Sequence, residues 1–275
     1  VKRIDPDLPI GVFDSGVGGI TVLRALRSTL PHESTLYLGD TARLPYGTKS
    51  RDSVLRYSLQ AAELLVTRGI KLLVVACNTA SAISLESLRE HLAPLPVIGV
   101  VEPGADAAVA ASARQRHLVL ATEATVSRRA YTQAIHARRP DAQVEEVACS
   151  LLVALAEEGW TEGPIAESVA SAYGARFFAR APQDRPDTII LGCTHFPVLA
   201  EAIRAAVGPD PAVIDSASTT ARVVAATLER SGALASGRAG QLRLLATDGP
   251  ARFARVGARF LGEPIAESDV ELVDL

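Results

Sequence analysis

Short apolar runs rich in Val, Ile and Leu recur along the chain, separated by longer amphipathic stretches. Runs of this kind, too short for helices and bounded by polar residues, are the pattern of strands buried on both faces of a parallel sheet. They predict strands over residues 10–13, 35–38, 72–76 and 97–100, then over 117–121, 144–148, 188–191, 212–214 and 242–246. Helical periodicity fills the intervals near 18–30, 51–68, 80–92 and 127–137, in helices up to residue 179, from 197 and from 216, and near 251–261. Glu102-Pro103-Gly104 reads as a turn before an Ala-rich helix. Regular alternation of this kind predicts an α/β protein with parallel sheets and right-handed crossovers.

The pattern repeats. A strand ending at Asp14-Ser15 comes 63 positions before Cys77, and a strand ending near Thr122 comes 71 positions before Cys193. Cys77 and Cys193 each follow a strand and precede small polar residues and a helix. The expected fold is therefore two similar doubly wound parallel-sheet domains facing one active-site cleft, because ligands of open α/β sheets gather at the carboxyl ends of strands. We expect residues 1–101 plus 211–275 to form the first domain, with the C-terminal segment returning to it, and 102–210 to form the second.

Composition narrows the chemistry. With 275 residues, 48% apolar, 21% charged and a net charge of -3, the chain can bury a large core and shows no basic footprint for nucleic acid. Its longest stretch without a charge, residues 72–85, is too short to span a bilayer, so no membrane partner is expected. The N-terminus lacks the apolar core of a signal peptide, and three cysteines do not make a disulfide framework; both point to the reducing cytoplasm. Lys2, Lys49 and Lys71 are the only lysines, which argues against a pyridoxal Schiff base. No zinc spacing occurs, and no metal is expected.

Among the motifs, Asp14 and Ser15 stand before a glycine-rich helix start, but Thr21 occupies the third position of the dinucleotide fingerprint, so a Rossmann cofactor site is a poor match. Asp40 and the Pro45-Tyr46-Gly47 turn follow a strand, and Tyr46 is equally open to a core role. A single buried Cys is more often inert than reactive, whereas two at matched strand ends favour chemistry. Cys149 has no such match. His195, two residues after Cys193, is placed to exchange a proton with it. Glu157 and Glu158 read from spacing alone as the polar end of a helix before Gly159.

Taken in order, FDSGVGG, YLGDTARLPYG, ACNTASA, ACSLLVALAEEGW and GCTHFPVL closely resemble the glutamate racemases of bacterial cell-wall synthesis, from about Ile10 to about Asp215. The resemblance implies cofactor-independent interconversion of L- and D-glutamate. It implies that Cys77 takes the α-proton of D-glutamate and Cys193 that of L-glutamate, with Asp14 assisting the first, His195 the second, and Glu157 orienting that side. Ser15, Pro45, Tyr46, Gly47, Asn78, Thr79, Thr122, Thr125 and Thr194, together with Asp14 and His195, would hold the amino and carboxylate groups. Ala121 and Ser150 depart from the family, which usually has Gly and Pro there. About a dozen residues precede Asp14, so activity without a cell-wall-precursor activator is expected. A homodimer stays open, as do a racemase of aspartate or a hydantoin and a non-catalytic binder of an acidic ligand.

Overall fold

In the computed structural model, which describes residues 4–275, the elements alternate as the sequence pattern predicts. In chain order they begin with β1 (Ile10–Asp14), α1 (Ile20–Thr29), β2 (Thr35–Gly39), α2 (Arg51–Thr67), β3 (Leu72–Val75), α3 (Asn78–Leu92) and β4 (Val97–Gly99). The middle of the chain forms α4 (Val101–Ala111), β5 (Arg116–Ala121), α5 (Glu123–Ser127), α6 (Ala130–His136), β6 (Gln143–Ala148), α7 (Ser150–Glu158), α8 (Gly163–Phe178), β7 (Thr188–Gly192), α9 (Ala200–Val207) and β8 (Ala212–Asp215). The remainder forms α10 (Ser216–Ser231), β9 (Leu242–Ala246), α11 (Pro250–Leu261) and β10 (Val270–Leu272).

Two compact units result, one of residues 1–100 and 217–275 and the other of residues 101–216. The first holds a parallel sheet in the order β10-β9-β2-β1-β3-β4, the second a parallel sheet in the order β6-β5-β7-β8. Numbered within each unit, β2-β1-β3-β4 and β6-β5-β7-β8 are the same winding, second-first-third-fourth. The duplication seen as element order is thus a duplication of topology, and Cys77 and Cys193 each follow the third strand of their own sheet.

Each face of the first sheet is apolar. Phe13, Leu36, Leu38, Leu73 and Val75 belong to one buried cluster with Val54 and Leu65 of α2 and Leu85 and Leu88 of α3. Alternate positions, including Tyr37, turn the other way, where the Tyr37 ring lies 5.9 Å from that of Phe253 in α11. This two-sided burial is why the strands read as unbroken apolar runs, each large side chain contributing about 1.5–3 kcal/mol. At the opposite end of β3 from Cys77, Lys71 is wholly buried. Its ammonium pairs with Glu33 at 2.5 Å and donates to the carbonyls of Pro6 (2.7 Å) and Ala233 (2.9 Å), while Glu33 also accepts from the Ala235 N–H.

The structure departs from expectation at five places. Glu102-Pro103-Gly104 opens α4 instead of preceding it. Proline at the third helical residue costs no hydrogen bond, because N–H groups of the first turn have no intrahelical partner. The helix expected near 127–137 is split into α5 and α6 at Arg129, whose φ of 50° is left-handed. The helix expected from Pro197 starts as a 3₁₀ turn, Phe196–Leu199, before α9. β10 was not expected; its three residues pair with β9. Finally, β8 pairs with β7 in the second sheet, so the chain re-enters the first unit at residue 217, not 211.

One buried base gives the second unit a pH dependence. His117 opens β5, is 1% exposed, and shares a 2.6 Å hydrogen bond between Nδ1 and Thr188 Oγ1. Burial holds its pKa below the usual value, against a smaller opposing pull from Asp187. The unfolded chain therefore takes up this proton first as pH falls, and stability drops as pH descends from about 6.5 towards the folded-state value. Urea midpoints at pH 7.5, 6.5 and 5.5 should decline, with a shallower decline for His117→Gln. Equal slopes would assign the effect to other groups.

Candidate active site

In the first unit, Cys77 is the N-cap of α3, and its Sγ accepts the Ala80 N–H at 3.4 Å. The positive end of a 15-residue helix favours a thiolate there. Ser15 Oγ lies 3.4 Å from the same sulfur. Asn78 and Thr79, the first two helical residues, are buried beside it. On the neighbouring strand, Asp14 is fully buried and Oδ2 accepts the Gly16 N–H at 2.9 Å. A methyl group at Gly19 would come within 2.5 Å of the Asp14 side chain, so glycine there lets α1 start close to the carboxylate. Tyr37 donates to the Gly16 carbonyl at 2.9 Å. Burial first, then the charges of Asp14 and Cys77, raise this phenol well above its usual value and keep it a donor.

Between β2 and α2 the expected Pro45-Tyr46-Gly47 turn is a 3₁₀ turn, Tyr46–Thr48, packed against α3. Tyr46 points into the core and donates its hydroxyl to Asp40 at 2.5 Å. Burial, followed by the Asp40 charge, drives its pKa far upward. The phenol is thus committed inward. The core role left open by the sequence is the one its side chain takes.

The second unit gives its cysteine different company. Cys193 follows β7 directly, 5% exposed, with Thr194 and His195 also buried. Cys193 Sγ lies 3.7 Å from His195 Nδ1, and His195 Nε2 lies 3.3 Å from Glu157 Oε1. A carboxylate at Nε2 favours the proton on that nitrogen, which leaves Nδ1 as the acceptor towards the thiol. Glu157 comes from α7, which packs on the 3₁₀ turn following His195. At the end of the adjacent β5, the hydroxyls of Thr122 and Thr125 are 3.0 Å apart. Cys149 is different again: it is wholly buried, its thiol pushed up to about 12 chiefly by burial, and it remains protonated.

The two family departures have local explanations. Ala121 pairs with Gly192 across β5 and β7, where an added Cβ on Gly192 would already meet Ala121 Cβ at 3.1 Å. One methyl fits between these strands because the other position has none. Ser150 is the exposed first residue of α7, where the missing proline costs only pre-organisation.

Asp40, Arg43 and Thr247 were not singled out from the sequence as a group. Asp40 accepts from Arg43 Nε at 2.7 Å and from Thr247 Oγ1 at 3.0 Å, in addition to Tyr46. A polar Thr247-Asp248-Gly249 directly after a predicted strand was the available signal. Among the described residues, no three His, Cys, Asp or Glu side chains converge as a metal site requires, and no helix is long and apolar enough to cross a membrane.

Known proteins resemble this chain in both sequence and fold. The family model described as Asp/Glu/Hydantoin racemase matches residues 20–224. The glutamate racemase of Geobacter metallireducens is 48% identical over 260 residues, covering 94% of each chain. Two solved structures, each covering 98% of both chains, are also similar. The glutamate racemase of Thermus thermophilus in complex with β-chloro-D-alanine has a TM-score of 0.87 at 45% identity. That of Francisella tularensis in complex with D-glutamate has 0.89 at 35%. Matched family residues, matched fold over nearly the whole length and a cysteine after the third strand of each unit agree: this chain belongs to the Asp/Glu/hydantoin racemase family, among its glutamate racemases.

Proposed function

We propose that the protein interconverts L- and D-glutamate with two cysteines, one thiolate removing the α-proton and the opposite thiol delivering a proton to the other face of Cα, supplying D-glutamate for peptidoglycan. The observation that carries this reading is the duplication: each unit places one nearly buried thiol at the carboxyl end of its third strand. Cys77, under the N-terminus of α3, takes the proton of D-glutamate with Asp14 assisting. Cys193 takes that of L-glutamate and passes it towards His195, which Glu157 orients. Ser15, Asn78, Thr79 and the 45–47 backbone hold the substrate on one side, and Thr122, Thr125 and Thr194 on the other. Fixed donors to the carboxylate stabilise the carbanion-like transition state.

The same reading runs on side chains alone. Lys71 is spent on Glu33 and two carbonyls, so the one lysine at a strand of the first sheet is not available for a Schiff base. Cys77, Cys149 and Cys193 are all free thiols, which fits a reducing cytoplasm. Circular dichroism of L-glutamate incubated with the protein should decay to zero, in EDTA and after dialysis, and product formed in D₂O should carry deuterium at Cα. L-Aspartate tested in parallel should be a poor substrate. Turnover of aspartate with glutamate untouched would reassign the substrate, and dependence on added pyridoxal phosphate or metal would reject the mechanism.

A further inference from the structure

The loop that carries Pro45 to Gly47 is fastened by a segment more than two hundred residues further along the chain, 205 to 207 positions from its partners. Thr247 directly follows β9, and its N–H donates to the Gly39 carbonyl at 3.2 Å, extending the ladder one residue past the strand. Its hydroxyl then does two things at once. It accepts the Ala42 N–H at 2.9 Å and donates to Asp40 Oδ1 at 3.0 Å. Beside it, Thr41 Oγ1 donates to the Asp248 carbonyl at 2.5 Å and accepts the Asp248 N–H at 2.8 Å. The turn after β9 thus grips residues 39–42 through reciprocal pairs.

The grip reaches the candidate site through Asp40. This carboxylate is fully buried, and Thr247 occupies Oδ1 while Oδ2 accepts from Arg43 Nε and the Tyr46 hydroxyl. Arg43 in turn donates to Gln60 Oε1 at 2.6 Å and lies 4.3 Å from the centre of the Tyr57 ring. Tyr46 is the anchor that sets the backbone of Pro45 and Gly47. A rotation of Asp40 would therefore move the backbone that faces substrate, and Thr247 is the group that fixes its second oxygen. A hydrogen bond from one hydroxyl that both donates and accepts defines an orientation that a methyl cannot.

We propose that Thr247 is a positioning residue for substrate binding, latching the 40–48 loop through Asp40 and Ala42. This rests on the reading of the 45–47 backbone as a substrate contact. A loop that holds non-reacting groups of the substrate binds ground state and transition state alike, so its loosening appears in KM more than in kcat.

The test uses the whole protein with Thr247→Val, which keeps shape and removes both hydrogen bonds, Thr247→Ser, which restores them, and Thr41→Val, which releases the neighbouring pair. Glutamate kinetics are read alongside amide hydrogen exchange of residues 40–49, with α8 as an internal reference. Thr247→Val should raise KM for glutamate about three- to tenfold, in line with loss of ordinary hydrogen bonds, with kcat within about twofold. Exchange should accelerate in 40–49 and not in α8. Thr247→Ser should return both readouts towards wild type, and Thr41→Val should move them in the same direction as Thr247→Val. Unchanged exchange would overturn the latch. Faster exchange with unchanged KM would leave the fastening in place and remove the loop from the substrate, ending the positioning role. A kcat loss without a KM change would likewise reject it. Failure of the wild type to racemise glutamate would reject the racemase reading separately, with the exchange comparison still deciding whether Thr247 fastens the loop.

Discussion

Cys77→Ser and Cys193→Ser should each lower racemisation by about 10² to 10⁴ or more, the effect expected on losing a positioned acid or base. Serine preserves size but offers no accessible anion at neutral pH. The two losses have different physical origins. At position 77 the helix N-terminus favours an anion, and an alkoxide is too basic to profit from it. At position 193 the imidazole 3.7 Å away accepts a thiol proton readily and a hydroxyl proton poorly. Cys149→Ser should stay near wild type, since that thiol is held protonated with its Sγ directed at the Val147 carbonyl. Initial rates by circular dichroism in both directions check all three. Retained activity in either strand-end variant, or its loss in Cys149→Ser, would reject the two-thiol mechanism.

Lys71→Met should destabilise the first unit by about 3–5 kcal/mol, because it leaves the Glu33 carboxylate buried without its cation. Two carbonyls also lose their donor, Pro6 ahead of β1 and Ala233 ahead of β9. The double variant Lys71→Met with Glu33→Leu should recover much of the loss, since a buried ion pair replaced by apolar groups is often near neutral. Hydrogen exchange resolved by unit is the suitable measurement, because two units need not unfold in one transition. If the single variant costs under about 1 kcal/mol, the pair is not the clamp its burial indicates.

Much of the fold was legible because its signals are local. Residues 72–76 and 189–191 are apolar on every side chain, which only a strand covered on both faces tolerates, and Cys77 and Cys193 stand where that run stops. What escaped was settled over long distances or by backbone alone. Glu157 was named through the family resemblance alone: it meets His195 because α7 packs on the turn after it, and nothing in ALAEEGW encodes that contact. Lys71 meets Glu33 across the sheet, and Asp40 meets Thr247 across 207 positions. Arg129 adopts a left-handed φ with no glycine or asparagine to announce it. Pro103-Gly104 carried a true turn signal that the first turn of a helix satisfies equally well.

The strand order has a consequence for how the chain is made. β2 borders β1 on one side and β9 on the other, and β9 begins about 140 residues after β4 ends. At about 5–20 residues per second, a ribosome needs roughly 7–30 s to bridge that interval. Throughout it, the first-made sheet presents an unpaired edge of Thr35–Gly39, five apolar or small residues with no charge among them. The continuous second unit, made later, can close before the first is complete. The nascent chain is therefore most vulnerable to wrong pairing midway through synthesis, when the older half still waits for its last strands.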